Sequence, residues 1–160
     1  MSSISLSAAK IADLEILNQL MFDLHDEHHR ACPEYFKTAE EVEQEKSIAR
    51  YIDNPDCLVY VARDGNAVVG FITGYFSELV SSVSKPIQMG SIDELYVVPA
   101  YRQQGVARKL FSRLEQTFVE YGAAEIFVEV WDFNREAQLF YQDVGFAHHI
   151  HWLRKSVRRS

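Results

Sequence analysis

Cysteine is scarce in this chain of 160 residues: there are two, Cys32 and Cys57. Their separation fits neither a CxxC pair nor a zinc-ligand spacing, and two cysteines make no disulfide framework. A reduced, cytoplasmic setting is therefore the expectation. Long apolar runs are missing as well. None approaches the roughly 20 residues that a membrane-spanning helix needs, so no membrane partner is expected. The first residues lack the charged segment, apolar segment and cleavage site of a secretory signal. Positive charge is not in excess, since 23 acidic and 16 basic residues leave a net charge of −7. That balance repels nucleic acid, so no nucleic-acid partner is expected. Two phosphate loops are also absent: the lysine and hydroxyl of GxxxxGK[ST], and the dinucleotide pattern GxGxxG.

What is present is enough for a core. Hydrophobic residues make up 48% of the chain, whose length is that of one domain. The negative charge is unevenly placed. Residues 1–56 carry twelve acids and five bases, whereas residues 57–160 carry equal numbers of each. Acidic helix faces turned to solvent would explain this, and so would a region that attracts a cationic ligand.

Periodicity divides the chain into elements. Ser3 to Leu6 reads as a short strand, and Ser7 suits a helix cap before Ile11, Leu14, Leu17, Met21 and Leu24, which recur at helical spacing. That helix should end before Pro33. Thr38-Ala39-Glu40-Glu41 is a capping-box pattern opening a second helix towards Tyr51, which must stop by Asn54-Pro55. Cys57 to Ala62 and Ala67 to Tyr75 read as strands joined by a turn at Asp64-Gly65. A polar loop from Ser81 to Pro86 precedes a strand from Gln88 to Val98, closed by Pro99. Val106, Leu110, Phe111, Leu114, Phe118 and Tyr121 form the apolar stripe of a long helix that Gly122 stops. Glu125 to Trp131 reads as a strand, Asn134 as the cap of a short helix ending at Gly145, and Phe146 to Leu153 as a last strand. The order β-α-α-β-β-β-α-β-α-β predicts a mixed α/β fold, a sheet with helices on its faces.

Ser91 to Leu110 is the stretch that carries chemistry. A strand ends at Pro99, and Gly105 opens a strongly amphipathic helix. The first turn of a helix leaves amides unpaired, and its dipole favours anions. Gly105 and the small Ala107 allow close approach, and Arg102 and Arg108 add charge, so a diphosphate would fit. A helix start that needs only a glycine turn would look the same from spacing alone.

The run Asp93-Glu94-Leu95-Tyr96-Val97-Val98-Pro99-Ala100-Tyr101-Arg102-Gln103-Gln104-Gly105-Val106-Ala107 resembles the acetyl-CoA segment of the GNAT acetyltransferase superfamily. Asn134, Ala137, Phe140-Tyr141 and Gly145-Phe146 resemble a second segment of that family. Trp131 to Asn134 is a little longer than the shortest family versions. The likeness extends from residue 1 to about 153, strongest from 91 to 146 and weak before 57. It implies one domain over 1–160, with residues 1–56 on the acceptor side, 57–153 as the acetyl-CoA core and 154–160 as a tail. It also implies a mixed sheet of about six to seven strands flanked by about four helices.

The resemblance assigns roles. Gln103, Gln104, Gly105, Val106 and Ala107 would offer amides to the CoA diphosphate, with Arg102 and Arg108 beside them. Leu95 and Val97 would pair their backbone with the pantetheine arm, as a strand adds to a sheet edge. Asn134 would hold the arm from the other side, besides serving as a cap. Tyr141 resembles the general acid that protonates the departing thiolate; on position alone it would be a core residue. The acceptor amine must lose a proton, and Glu94 or Asp93 is the expected base. Strand alternation puts these two on opposite faces, so one alone would face the amine, with Glu94 preferred. Backbone N–H groups near Leu95 to Val97 would polarise the thioester carbonyl. Neither cysteine lies in these segments, so direct transfer in a ternary complex is expected, without an acyl-enzyme.

The expected activity is acetylation of a small, cationic primary amine by acetyl-CoA, with no metal. A protein or peptide amino group as acceptor, or a non-catalytic acyl-CoA sensor, are the alternatives. His25, His28 and His29 have metal-compatible spacing without a distant further ligand, and they border the acceptor side in similar proteins. His149 and His151 would share one face of the last strand, whose apolar edge would suit a homodimer. Arg154, Lys155, Arg158 and Arg159 form a short basic tail.

Overall fold

In a computed structural model describing residues 3–158, five strands form one sheet in the order β1 (Ile4–Ala8), β2 (Cys57–Asp64), β3 (Ala67–Leu79), β4 (Ile87–Val97) and β5 (Glu125–Val128). The first three pairings are antiparallel and β4–β5 is parallel, as the intervening helix requires. The helices are α1 (Leu14–Ala31), α2 (Ala39–Glu45), α3 (Ala49–Asp53), α4 (Val106–Tyr121) and α5 (Arg135–Asp143). By contact the chain divides into two units, Met1–Glu129, which holds the sheet, and Val130–Ser160, which holds α5. Among the described residues, no helix is long and apolar enough to cross a membrane.

The sheet buries both faces. On one, Val59, Val61, Phe71 and Tyr96 pack against Leu17, Leu20 and Met21 of α1 and against Ile48. On the other lies α4, whose Leu110, Leu114 and Phe118 are fully buried. Tyr60 carries a hydrogen bond into that face, its hydroxyl lying 2.6 Å from Thr117 Oγ1. Alternation along each strand therefore decides which residues meet α1 and which meet α4.

Several elements differ from expectation. α1 starts after Asp13 rather than after Ser7, which lies inside β1. Asp13 turns inward to accept from the Lys10 amide (2.9 Å) and from Arg63 Nη2 (2.7 Å). Thr38 and Glu41 do form the capping box, but the expected second helix breaks into α2 and α3 at Lys46, whose backbone is extended. β5 stops at Val128 instead of Trp131, because its partner β4 bulges at the next position. No strand forms between Phe146 and Leu153, so the sheet has five strands rather than six to seven. A period of two supplies side-chain alternation but no ladder partner, and the ladder makes the strand. His149 and His151 accordingly share no strand face; the rings of His148 and His151 stack at 5.4 Å. Of the basic tail, Arg159 lies outside the described residues.

Asp13 is buried against a half-buried Arg63, and the pair carries a pH-dependent share of stability. Burial pushes the Asp13 carboxyl up, but the bonds from Arg63 and the Lys10 amide outweigh it and hold the group below the usual carboxylate range. Its contribution is therefore complete above an ordinary aspartate pKa of about 3.9 and is lost as pH falls through the lower folded value. Asp13→Ala should cost about 1–2 kcal/mol, since a half-buried Arg63 loses its carboxylate and keeps Ser7 Oγ as partner. Urea denaturation at pH 7 measures this, and the deficit should shrink as pH falls below about 3.9.

Candidate active site

A bulge in β4 shapes the site. Gly74 pairs with Ile92 and Thr73 with Glu94, so Asp93 is an extra residue without a partner on β3. Gly74 is needed here: a Cβ on it would lie 2.5 Å from the Ser91 carbonyl oxygen. The extra residue breaks the alternation that would have separated the two carboxylates. Asp93 turns towards α3 and Glu94 towards the segment that joins α2 to α3. Tyr51 of α3 donates its hydroxyl to Asp93 Oδ2 at 2.7 Å, and Lys46 donates Nζ to Glu94 Oε2 at 2.7 Å. The opposite-face expectation is thus corrected.

The two acids differ sharply in setting. Glu94 is buried, and both oxygens are engaged: Thr73 Oγ1 donates to Oε1 at 2.7 Å, and Lys46 holds Oε2. Asp93 keeps solvent contact, with Ser91 Oγ donating to Oδ1 at 3.3 Å. Its carboxyl is nonetheless crowded, and burial, assisted by the charge of Glu94, raises its pKa against the opposing effects of Tyr51, Lys46 and Ser91. The Tyr51 phenol is pushed up in turn, by burial first and then by both carboxylates, and so stays a donor.

Beyond the bulge the far edge of β4 is open. The last β4–β5 pair is Ile92 with Val128, and among the described residues no strand lies beside Asp93 to Val97 on that side. Val98 donates to Val69 in the direction of β3. Alternation then turns the backbone groups of Leu95 and Val97 to the open edge. The Val97 carbonyl there accepts from Arg102 Nε at 2.7 Å.

Arg102 is engaged on the protein itself. Its guanidinium also binds Glu27 of α1 (2.9 Å) and lies 5.2 Å over the Tyr96 ring, tying the end of β4 to α1. A 3-10 turn at Pro99–Tyr101 follows the strand, fixed by Tyr101 donating to Asp64 at 2.6 Å. Gln103 has φ 62°, and Gly105, the α4 cap, has φ 81°. A Cβ at position 105 would meet nothing within 4 Å, so the left-handed φ, and not lack of space, is what requires the glycine. The first helical bond runs from Lys109 to Gly105, so the amides of Val106 and Ala107 have no acceptor within the helix. Gln103, Gln104, Gly105 and the Arg108 side chain are exposed, Ala107 is half-buried, and Val106 anchors the turn in the core. An anionic group fits this cradle.

In the second unit, Asn134 caps α5, its Oδ1 accepting from the Ala137 amide at 3.1 Å. Tyr141 is buried, with its ring edge-on to Phe140 (5.2 Å) and Phe146 (5.4 Å). Burial raises its pKa, so the phenol holds its proton. On α1, burial lowers the pKa of His25 to about 4 and also lowers that of His28, which stacks on Phe36 at 5.4 Å. His29 Nδ1 lies 2.9 Å from the Phe36 carbonyl. The three pack the helix end and its following loop.

Lys46, Tyr51, Thr73 and Glu27 escaped the sequence reading. Each acts on a residue at least 21 positions away, and no local pattern marks such pairs.

Residues 21–146 match the acetyltransferase (GNAT) family. The acetyltransferase from Vibrio fischeri is 52% identical and superposes with a TM-score of 0.67, over 79% of this chain and 96% of that one. The aminoglycoside N-acetyltransferase AAC(6')-Iy, in complex with the bisubstrate analogue CoA-S-monomethyl-acetylneamine, shares the fold at 19% identity and a TM-score of 0.70, over 97% and 99% of the two chains. An uncharacterised N-acetyltransferase from Mycobacterium bovis is 26% identical over 98 residues. That match takes in 61% of this chain and 58% of the relative, little more than half the relative's length. With the family match spanning most of the chain and the Vibrio fischeri protein half identical to it, the chain belongs to the acetyltransferase (GNAT) family.

Proposed function

We propose that this protein transfers the acetyl group of acetyl-CoA to the primary amine of a small cationic molecule, by direct attack in a ternary complex. One observation carries the reading: the open edge of β4 joins an accessible carboxylate at Asp93 to a helix start at Gly105 whose first amides lack helical acceptors. In this reading the amides from Gln103 to Ala107 hold the CoA diphosphate, with Arg108 adding charge. Leu95 and Val97 pair with the pantetheine arm and an edge N–H polarises the thioester carbonyl, while Asn134 keeps the arm-holding role the family resemblance gives it.

Asp93 takes the base role rather than Glu94. It is accessible, and its raised pKa makes it a better proton acceptor than an ordinary aspartate, whereas both oxygens of Glu94 are engaged. Asp93 receives one proton from the ammonium, the freed amine nitrogen bonds to the acetyl carbon and the carbon–sulfur bond breaks. Tyr141 gives its phenolic proton to the sulfur, and the second nitrogen proton, lost as the amide forms, restores the phenol through solvent. The aminoglycoside N-acetyltransferase crystallised with an acetylneamine bisubstrate supports a small cationic amine as acceptor, as does the acidic first third of the chain. The homodimer and cytoplasmic setting expected above belong to this reading, with the exposed Ile150, Trp152 and Leu153 as a surface for a second copy.

Titration calorimetry with CoA and thiol release in the presence of an amine panel test the reading together. Gly105→Val forces a β-branched residue into a left-handed φ, so CoA affinity should fall by roughly tenfold or more. Absence of binding heat with the wild-type protein, or unaltered affinity in Gly105→Val, would sink it.

A further inference from the structure

Lys46 is the one cation in direct contact with the acidic pair among the described residues, and its placement is unusual. It sits where the expected second helix breaks, with an extended backbone that sends its side chain 48 residues away in sequence, to Glu94. Lys46 remains partly open to solvent while Glu94 is almost wholly enclosed. The ammonium therefore occupies Glu94 as an incoming substrate ammonium would, at 2.7 Å.

We propose that Lys46 is a built-in surrogate for a second substrate cation: it neutralises Glu94, so the site receives one ammonium, at Asp93, and disfavours acceptors that bring two close together. The inference deepens the acetyltransferase reading and rests on it. Without Lys46, Glu94 becomes a second ammonium subsite beside Asp93, and a short diamine can span the pair. Lys46 is a positioning and specificity residue, because it acts through Glu94.

The same arrangement dictates opposite pH responses. The groups facing Asp93 are Tyr51 from α3, Cys57 at the start of β2, Ser91 and Glu94 on its own strand, and Lys46. Removing the Lys46 charge leaves Glu94 to repel the Asp93 anion, so the acid limb of kcat/KM moves to higher pH. Removing the Glu94 charge leaves Lys46 to stabilise that anion, so the limb moves to lower pH.

Steady-state kinetics with acetyl-CoA and either propylamine or 1,3-diaminopropane, from pH 5 to 10, test this. In Lys46→Met the KM for the diamine should fall relative to that for the monoamine by about tenfold, the effect of one newly available charged hydrogen bond. Lys46→Arg should retain wild-type selectivity. Glu94→Gln should shift the acid limb opposite to Lys46→Met, and the double variant K46M/E94Q should return it towards wild type. Lys46→Gln keeps a donor for Glu94 without the charge, so it preserves the test if the Met variant folds poorly. An unchanged diamine-to-monoamine ratio in both uncharged variants, or acid limbs that move the same way in Lys46→Met and Glu94→Gln, would overturn the proposal. Loss of the acid limb in Asp93→Asn reports on the base assignment alone, so the two failures are distinguishable.

Discussion

Tyr141→Phe should lower kcat by roughly 10²-fold or more while leaving CoA affinity and the melting temperature close to wild type. The expectation follows from the setting of the ring. Phe140 and Phe146 meet it edge-on, so a phenylalanine retains the same packing. What disappears is one hydroxyl whose proton burial has made harder to lose. At neutral pH that group is a donor and never a base. A departing thiolate, whose parent thiol has a pKa of about 8.5, gains most from a donor fixed in place before the bond breaks. Thiol release under saturating acetyl-CoA gives kcat, and calorimetry with CoA gives affinity. A kcat equal to wild type would leave Tyr141 as a core residue.

Asp93→Asn should reduce kcat/KM by roughly 10²- to 10³-fold and remove the acid limb of its pH profile. The sign follows from the raised pKa. Burial and the neighbouring Glu94 favour the neutral acid, so wild-type activity declines as pH falls through a value above the ordinary aspartate range. Asparagine keeps the shape and can still accept from Tyr51, yet it takes no proton. Rate measurements with one amine from pH 4 to 9 check both parts. If the variant kept the wild-type limb, another group would be the base and Asp93 a structural partner of Tyr51.

Much of this site was legible beforehand, for reasons visible in single residues. Gly105 announced a left-handed turn because few other residues tolerate one, and φ is 81° there. The stripe from Val106 to Phe118 announced α4, since a 3.6-residue period has one packing solution on a sheet. Thr38 and Glu41 marked a helix start by local hydrogen bonds alone. Where expectation failed, the missing information lay across the sheet. Alternation separated Asp93 from Glu94, but β4 takes an extra residue opposite Thr73 and Gly74, where a side chain on Gly74 would meet the Ser91 carbonyl, and the bulge breaks that alternation. The pattern of Phe146 to Leu153 suited a strand that has no ladder.

The chain by itself determined the caps of α2, α4 and α5, the approximate segments of β2 to β4 and the family, because these follow from backbone preferences and periodicities that act within a few residues. Tertiary structure alone decided which carboxylate is accessible, what neutralises the other and where β5 ends. Those outcomes depend on contacts such as Lys46 with Glu94 and Tyr51 with Asp93, whose partners lie more than 40 residues apart and meet only once the sheet has assembled.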